Sequence, residues 1–237
     1  MGTRHLVVVI LNGIWYIAQY GQWDGYPEVV GMQLVRLLAR PDLVRDLRAG
    51  LPHTYEPDEA TVQRLEADAA EPLQILNHVE ARLDHNGELR FSDYQEWRRD
   101  PLARWAPELL DMLPSLHRDT SAAVLVLVAR GASAERPLPI HRQPEFANDG
   151  LFCEWAYVVD LDTDVLEVYE GAAAKTPGHR FAHVGPDSAT VPVLVLSLPF
   201  DKLDDYKNDR NAFVARINHE IDGINKRNAA ARKELDE

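Results

Sequence analysis

A chain of 237 residues, 46% hydrophobic and 27% charged, is long enough to bury a full core and fits one domain. Its formal net charge of -13 argues against sequence-independent nucleic-acid binding, which needs Lys and Arg clustered against phosphates. A single cysteine, Cys153, excludes an intramolecular disulfide and a four-cysteine zinc site, and no window approaches a membrane span. The expectation is a cytoplasmic protein with no nucleic-acid or membrane partner.

Thr3 to Leu11 is rich in β-branched residues and almost continuously apolar, which suits a strand buried on both faces. Asn12-Gly13 supplies the two positive φ angles of a type I′ turn, so Ile14 to Tyr20 should return as its antiparallel partner. The stretch Ala18 to Pro27 (AQYGQWDGYP) then alternates polar, aromatic and glycine residues more densely than a plain connection needs, and reads as the floor of a site. Pro27 suits a first helical turn, and Val29, Val30, Leu34, Leu37 and Leu38 recur at helical spacing up to Ala39. A short helix from Asp42 to Ala49 should follow, closed by Gly50.

Helical patterns continue over Thr61 to Ala70 and Leu73 to Leu83, before an aromatic-rich stretch containing Phe91, Tyr94, Trp97 and Trp105. The run Ala122 to Ala129 (AAVLVLVA) suits a buried helix by length and flanking caps, while its Val residues would equally suit a central strand; helix is favoured. Residues 132–145 carry three prolines and read as a surface crossing. Leu151 to Asp160 and Val165 to Tyr169 form a second hairpin across Asp162-Thr163-Asp164. Val191 to Leu198 is a further strand, and Asp204 to Leu235 is a charged, amphipathic terminal helix.

The order predicts a single α+β domain over 1-237, with a largely helical segment at about 58-130 between two hairpin regions. Packed antiparallel β-sheets covered by helices satisfy it, and so does one antiparallel sheet with helices on one side. Two polar clusters are candidates for chemistry. The first comprises Arg4, Gln19, Tyr20, Gln22, Trp23 and Asp24, where Asp24 could pair with Arg4 or simply form an Asx turn. The second is His141, Asn148, Asp149 and Cys153, in which His141 could help ionise the thiol; a buried structural Cys and an ordinary Asn-Asp-Gly turn are the alternatives. Convergence of the two clusters would make a polar pocket for a small-molecule ligand or substrate. No metal site is expected, because the one close histidine pair, His179 with His183, would share a face only in a helix and Pro177-Gly178 opposes one. No phosphate loop or other cofactor motif is present either.

The opening strand, hairpin and helix, with hairpins after a helical stretch, resemble the four-layer αββα arrangement of amino-terminal nucleophile (Ntn) hydrolases. Asp24 is similar in placement to the Asp that orients the terminal amine in choloylglycine hydrolases and penicillin V acylases. The resemblance implies hydrolysis of amide bonds, with Asp24 orienting and either the free amine of Gly2 or Cys153 taking part. Gly2 has no side chain to attack with, which departs from the family's Cys, Ser or Thr. The strings AQYGQWDGYP and FANDGLFCEWAYVVDLD resemble those of a group of uncharacterised bacterial, phage and fungal proteins, a resemblance that implies no activity. The other outcomes are a binding protein without turnover, a homo-oligomer, or an interaction module using Trp97, Trp105 and the terminal helix.

Overall fold

A computed structural model describes residues 2–65, 67, 81–83, 89–91 and 120–235. Strand β1 (His5–Leu11) is buried along its whole length and turns through Asn12 (φ 53) and Gly13 (φ 70) into β2 (Ile14–Gly21). The Asp162 carboxylate accepts the N–H groups of both turn residues, at 2.6 and 2.8 Å, and these bonds hold its pKa below the usual carboxylate value. The two hairpins are thereby tied tip to tip.

Three more strands, β7 (Trp155–Asp160), β8 (Val165–Ala174) and β9 (Thr190–Pro199), complete a five-stranded sheet in the order β2-β1-β7-β8-β9. All neighbours are antiparallel except β1 and β7, which run parallel with His5 opposite Trp155 and Ile10 opposite Asp160. A parallel pair needs a long crossover, and the chain between β2 and β7 is long enough to make it. The continuously apolar sequences of β1 and β7 follow from this central position, covered above and below.

One face of the sheet, with Val7, Val9, Ile17, Tyr157, Val159 and Val168, is packed against helices. These are α1 (Met32–Leu38), entered through one wider turn at Pro27–Gly31, α2 (Pro41–Gly50), α3 (Ala123–Gly131) and α4 (Arg210–Leu235). The AAVLVLVA run is therefore helical, with every residue from Ala123 to Val128 buried. A segment enclosed on all sides gains nothing from period-2 alternation, so its β-branched content does not decide its state. Phe213 and Ile217 of α4 are fully buried while Ile221 and Ile224 are half-buried, so the helix docks by the first part of its apolar stripe. The Asp209 carboxylate caps it by accepting the Ala212 N–H at 2.9 Å.

The opposite face, with Leu6, Val8, Ala156, Val158 and Tyr169, is covered by Ala147, Cys153, Phe181 and Val184 from loops. The fold is α+β, with one five-stranded sheet and helices on one side of it; among the described residues no second sheet of αββα type packs on it. Two short pairs accompany it, β3 (Thr54–Tyr55) parallel to β6 (Leu138–Pro139), and β4 (Ala81–Leu83) antiparallel to β5 (Leu89–Phe91). The expected helix over Leu73 to Leu83 thus ends in a strand, because pairing with residues 89–91 outweighs local periodicity. The rest of that expected helix, and Tyr94, Trp97 and Trp105, lie outside the described residues.

Candidate functional site

A cleft of about 330 Å³ opens on the loop-covered face of the sheet, lined by Arg4, Tyr20, Gln143, Phe146, Asp149 and Phe152. Arg4 precedes β1 and Tyr20 lies opposite Leu6 on β2, so the parity of the sheet turns both toward this face. The far wall arrives by a loop running along β2. Arg142 donates to the carbonyl of Trp15 at 3.1 Å and the Gln143 N–H donates to Ala18 at 2.8 Å, while Glu56 accepts from His141 Nδ1 and from Arg142. Phe146 then meets Tyr20 edge-on at 4.6 Å between ring centres.

Asp149 forms an Asx turn, its Oδ1 accepting the N–H groups of Leu151 and Phe152 at 3.2 and 3.0 Å. That turn sets Phe152, 40% exposed, beneath the guanidinium of Arg4, whose carbon is 4.1 Å from the ring centre. The contact is a cation–π pair. Arg4 is half-buried, lines the cleft and makes no ion pair among the described residues. The second oxygen of Asp149 gives the same cleft a negative group.

The two sequence clusters therefore converge, though only in part. Arg4, Tyr20 and Asp149 meet in the cleft; Gln22 stands beside it, accepting from the Tyr20 hydroxyl. Asp24 is exposed at φ 56 and its carboxylate pairs with no described residue, so neither the Arg4 ion pair nor the Asx turn weighed for it is formed among the described residues. Trp23 lies against Gly2, where a Cβ would stand 2.0 Å from the indole. Gln19 is buried, and Asn148 donates to the Thr190 carbonyl at 3.1 Å, tying its loop to β9.

Cys153 is a correction to the nucleophile idea. It is 2% exposed, its Sγ points to the Trp155 carbonyl, and burial together with the Asp149 charge pushes the thiol up to about 12. It stays a protonated core residue at neutral pH. His141, its supposed base, is held by Glu56 at 3.1 Å. Gln143, Phe146 and Phe152 were missed by sequence reasoning. Phe146 and Phe152 bracket the Asn-Asp-Gly turn, and that spacing of aromatics around a turn was the available signal.

No family model, curated protein or solved structure matches this chain. A larger hollow of about 750 Å³ lies between the α1–α2 corner and the β7–β8 turn, but the charges spanning it, Arg48 and Asp164, already satisfy each other at 2.6 Å. Near the cleft face, Arg180 bridges Asp160 and Glu167, each at 2.7 Å, and Glu167 also accepts from the Tyr169 hydroxyl. This holds the loop carrying Phe181 onto the sheet.

On the helical face His5 is fully buried, and burial lowers its pKa from 6.5 to about 4 against a smaller opposing effect of the Thr3 carbonyl. Between those values the unfolded chain takes up a proton that the folded chain refuses. The stability from this neutral ring is complete above pH 6.5 and is lost as pH falls toward 4, by at most about 1.4 kcal/mol per unit. Urea denaturation at pH 7 and pH 5 should show a larger loss for the natural protein than for His5→Gln. Equal losses would mean that the folded ring protonates normally.

Proposed function

We propose that the Arg4–Asp149 cleft binds a small, planar molecule carrying a carboxylate, and that this binding is the protein's task. The observation behind the reading is the guanidinium laid over Phe152 at the mouth of an aromatic cleft, with no acidic partner among the described residues. The ring holds the guanidinium in place by cation–π attraction without using its N–H donors, and a carboxylate takes two parallel N–H donors from it. Tyr20, Phe146 and Phe152 offer ring edges and faces for a flat ligand, and the volume falls within the range of small-molecule sites. Gln143 and the free oxygen of Asp149 supply polar contacts at the other end, which suits a ligand bearing a donor such as a hydroxyl or amine.

The test is calorimetric titration with benzoate, 4-hydroxyphenylacetate and N-acetylphenylalanine, each beside its neutral amide. The carboxylates should bind saturably, and Arg4→Met, which keeps the stem over Phe152, should weaken them about tenfold to a hundredfold, as expected for losing charge-assisted hydrogen bonds. The amides should bind both proteins equally weakly. Absence of binding at millimolar carboxylate, or equal affinity in Arg4→Met, removes the proposal.

A further inference from the structure

The two glycines of the AQYGQWDGYP stretch serve one side chain. A Cβ at Gly21 would stand 2.2 Å from the His5 ring and one at Gly25 would stand 2.8 Å from it, so the loop closes round an imidazole that no larger residues would admit. The Tyr157 hydroxyl holds that loop, donating to the Gly25 carbonyl at 2.8 Å. Inside this enclosure His5 Nε2 lies 2.7 Å from Ser121 Oγ, a residue 116 positions away.

Ser121 has φ 51, a left-handed conformation that a residue with a Cβ rarely adopts and that recurs where a side chain must be presented for chemistry. It stands two residues before α3, in a tight turn whose Thr120 and Ser121 carbonyls accept the N–H groups of Ala123 and Val124 at 3.0 and 3.2 Å. It is the partly exposed member of the pair, and His5 is the buried one. Beside it Thr120 is 2% exposed and its hydroxyl has no hydrogen-bond partner among the described residues, which is unusual unless something else is to be bound. His5 Nδ1 likewise has no partner of normal geometry among the described residues, while the Thr3 carbonyl favours a proton on the ring. With Nε2 committed to Ser121, that proton belongs on Nδ1, which leaves the Nε2 lone pair to accept from the serine hydroxyl.

We infer that Ser121 and His5 form a nucleophile–base pair that takes an acyl group from an activated ester, an aryl ester or thioester. As Oγ bonds to the acyl carbon, its proton passes to Nε2. The bond to the leaving phenolate or thiolate then breaks, and the leaving group takes that proton. Water next attacks the acyl-serine, gives a proton to Nε2, and the Oγ–carbon bond breaks with the proton returning to Oγ. A desolvated, weakly basic imidazole is neutral and ready at pH 7, but drives proton transfer weakly; good leaving groups suit it and amides do not. The inference is independent of the Arg4 cleft, which lies on the other face of the sheet.

The experiment incubates the full-length natural protein with an alkyl fluorophosphonate and maps the adduct by peptide mass spectrometry, alongside p-nitrophenyl acetate hydrolysis. The adduct is expected on Ser121, and the hydrolysis rate should fall about a hundredfold in Ser121→Ala. No adduct on Ser121 after prolonged incubation with folded protein overturns the inference, whatever the variants do. An unchanged rate in a folded Ser121→Ala protein overturns it too.

Discussion

Phe213→Ala is expected to lower the unfolding free energy by about 3–5 kcal/mol, the range for deleting a fully buried aromatic ring. Phe213 is 0% exposed and belongs to the first turn of α4. Its ring lies directly on backbone: a Cβ on Gly31 would stand 2.9 Å from it, with Tyr157 at 3.3 Å behind. The Tyr206 ring closes the remaining side at 5.9 Å between centres. Backbone and fixed rings cannot slump into the vacated volume, so the cavity should persist and the cost should reach the upper part of that range. Because only the early part of α4 is buried, losing this anchor should also expose the helix to protease before the sheet unfolds. Denaturant titration and limited proteolysis measure both; a loss below about 1 kcal/mol would mean that α4 does not depend on this contact.

Gly50→Ala should destabilise the protein by about 2–3 kcal/mol, although alanine is the better helix former by about 1 kcal/mol. Gly50 ends α2 at φ -78, so its conformation makes no demand for glycine. What forbids a Cβ is the neighbouring helix: the added carbon would lie 2.4 Å from the carbonyl oxygen of Val128 in α3 and 3.1 Å from its carbon. Neither atom can rotate away, so α2 and α3 must separate. Gly223→Ala in α4 is the control, since the nearest atom there is the movable end of Arg227 at 3.4 Å. It should stabilise by about 0.5–1 kcal/mol through propensity alone. Denaturation of the two variants should give opposite signs, and stabilisation by both would show that α2 and α3 are not in backbone contact.

Much of the fold was legible because its signals are local. Asn12-Gly13 demanded a hairpin, the almost continuously apolar Thr3 to Leu11, with its unbroken run Leu6 to Leu11, demanded a buried strand, and the amphipathic pattern of the terminal segment demanded a helix. The error at 81–83 arose where a three-residue strand is too short to impose a period on the sequence. The stretch Ala18 to Pro27 stood out by its composition, yet of its residues only Tyr20 lines the cleft, and what the stretch encloses was not legible. Its glycines answer to His5, and nothing within ten residues of sequence reveals that.

By itself, the chain's order of residues determined most of the longer strands, helices and turns among the described residues, because hydrogen bonding and side-chain parity along a segment depend on near neighbours. Tertiary structure alone decided that β1 lies parallel to β7. That pairing sets Arg4, just before β1, over Phe152, just before β7, and the packing of α3 under the sheet separately brings Ser121 to His5. Such contacts join positions more than a hundred residues apart, and their geometry comes from how sheet faces and helices share buried area, which no local pattern records.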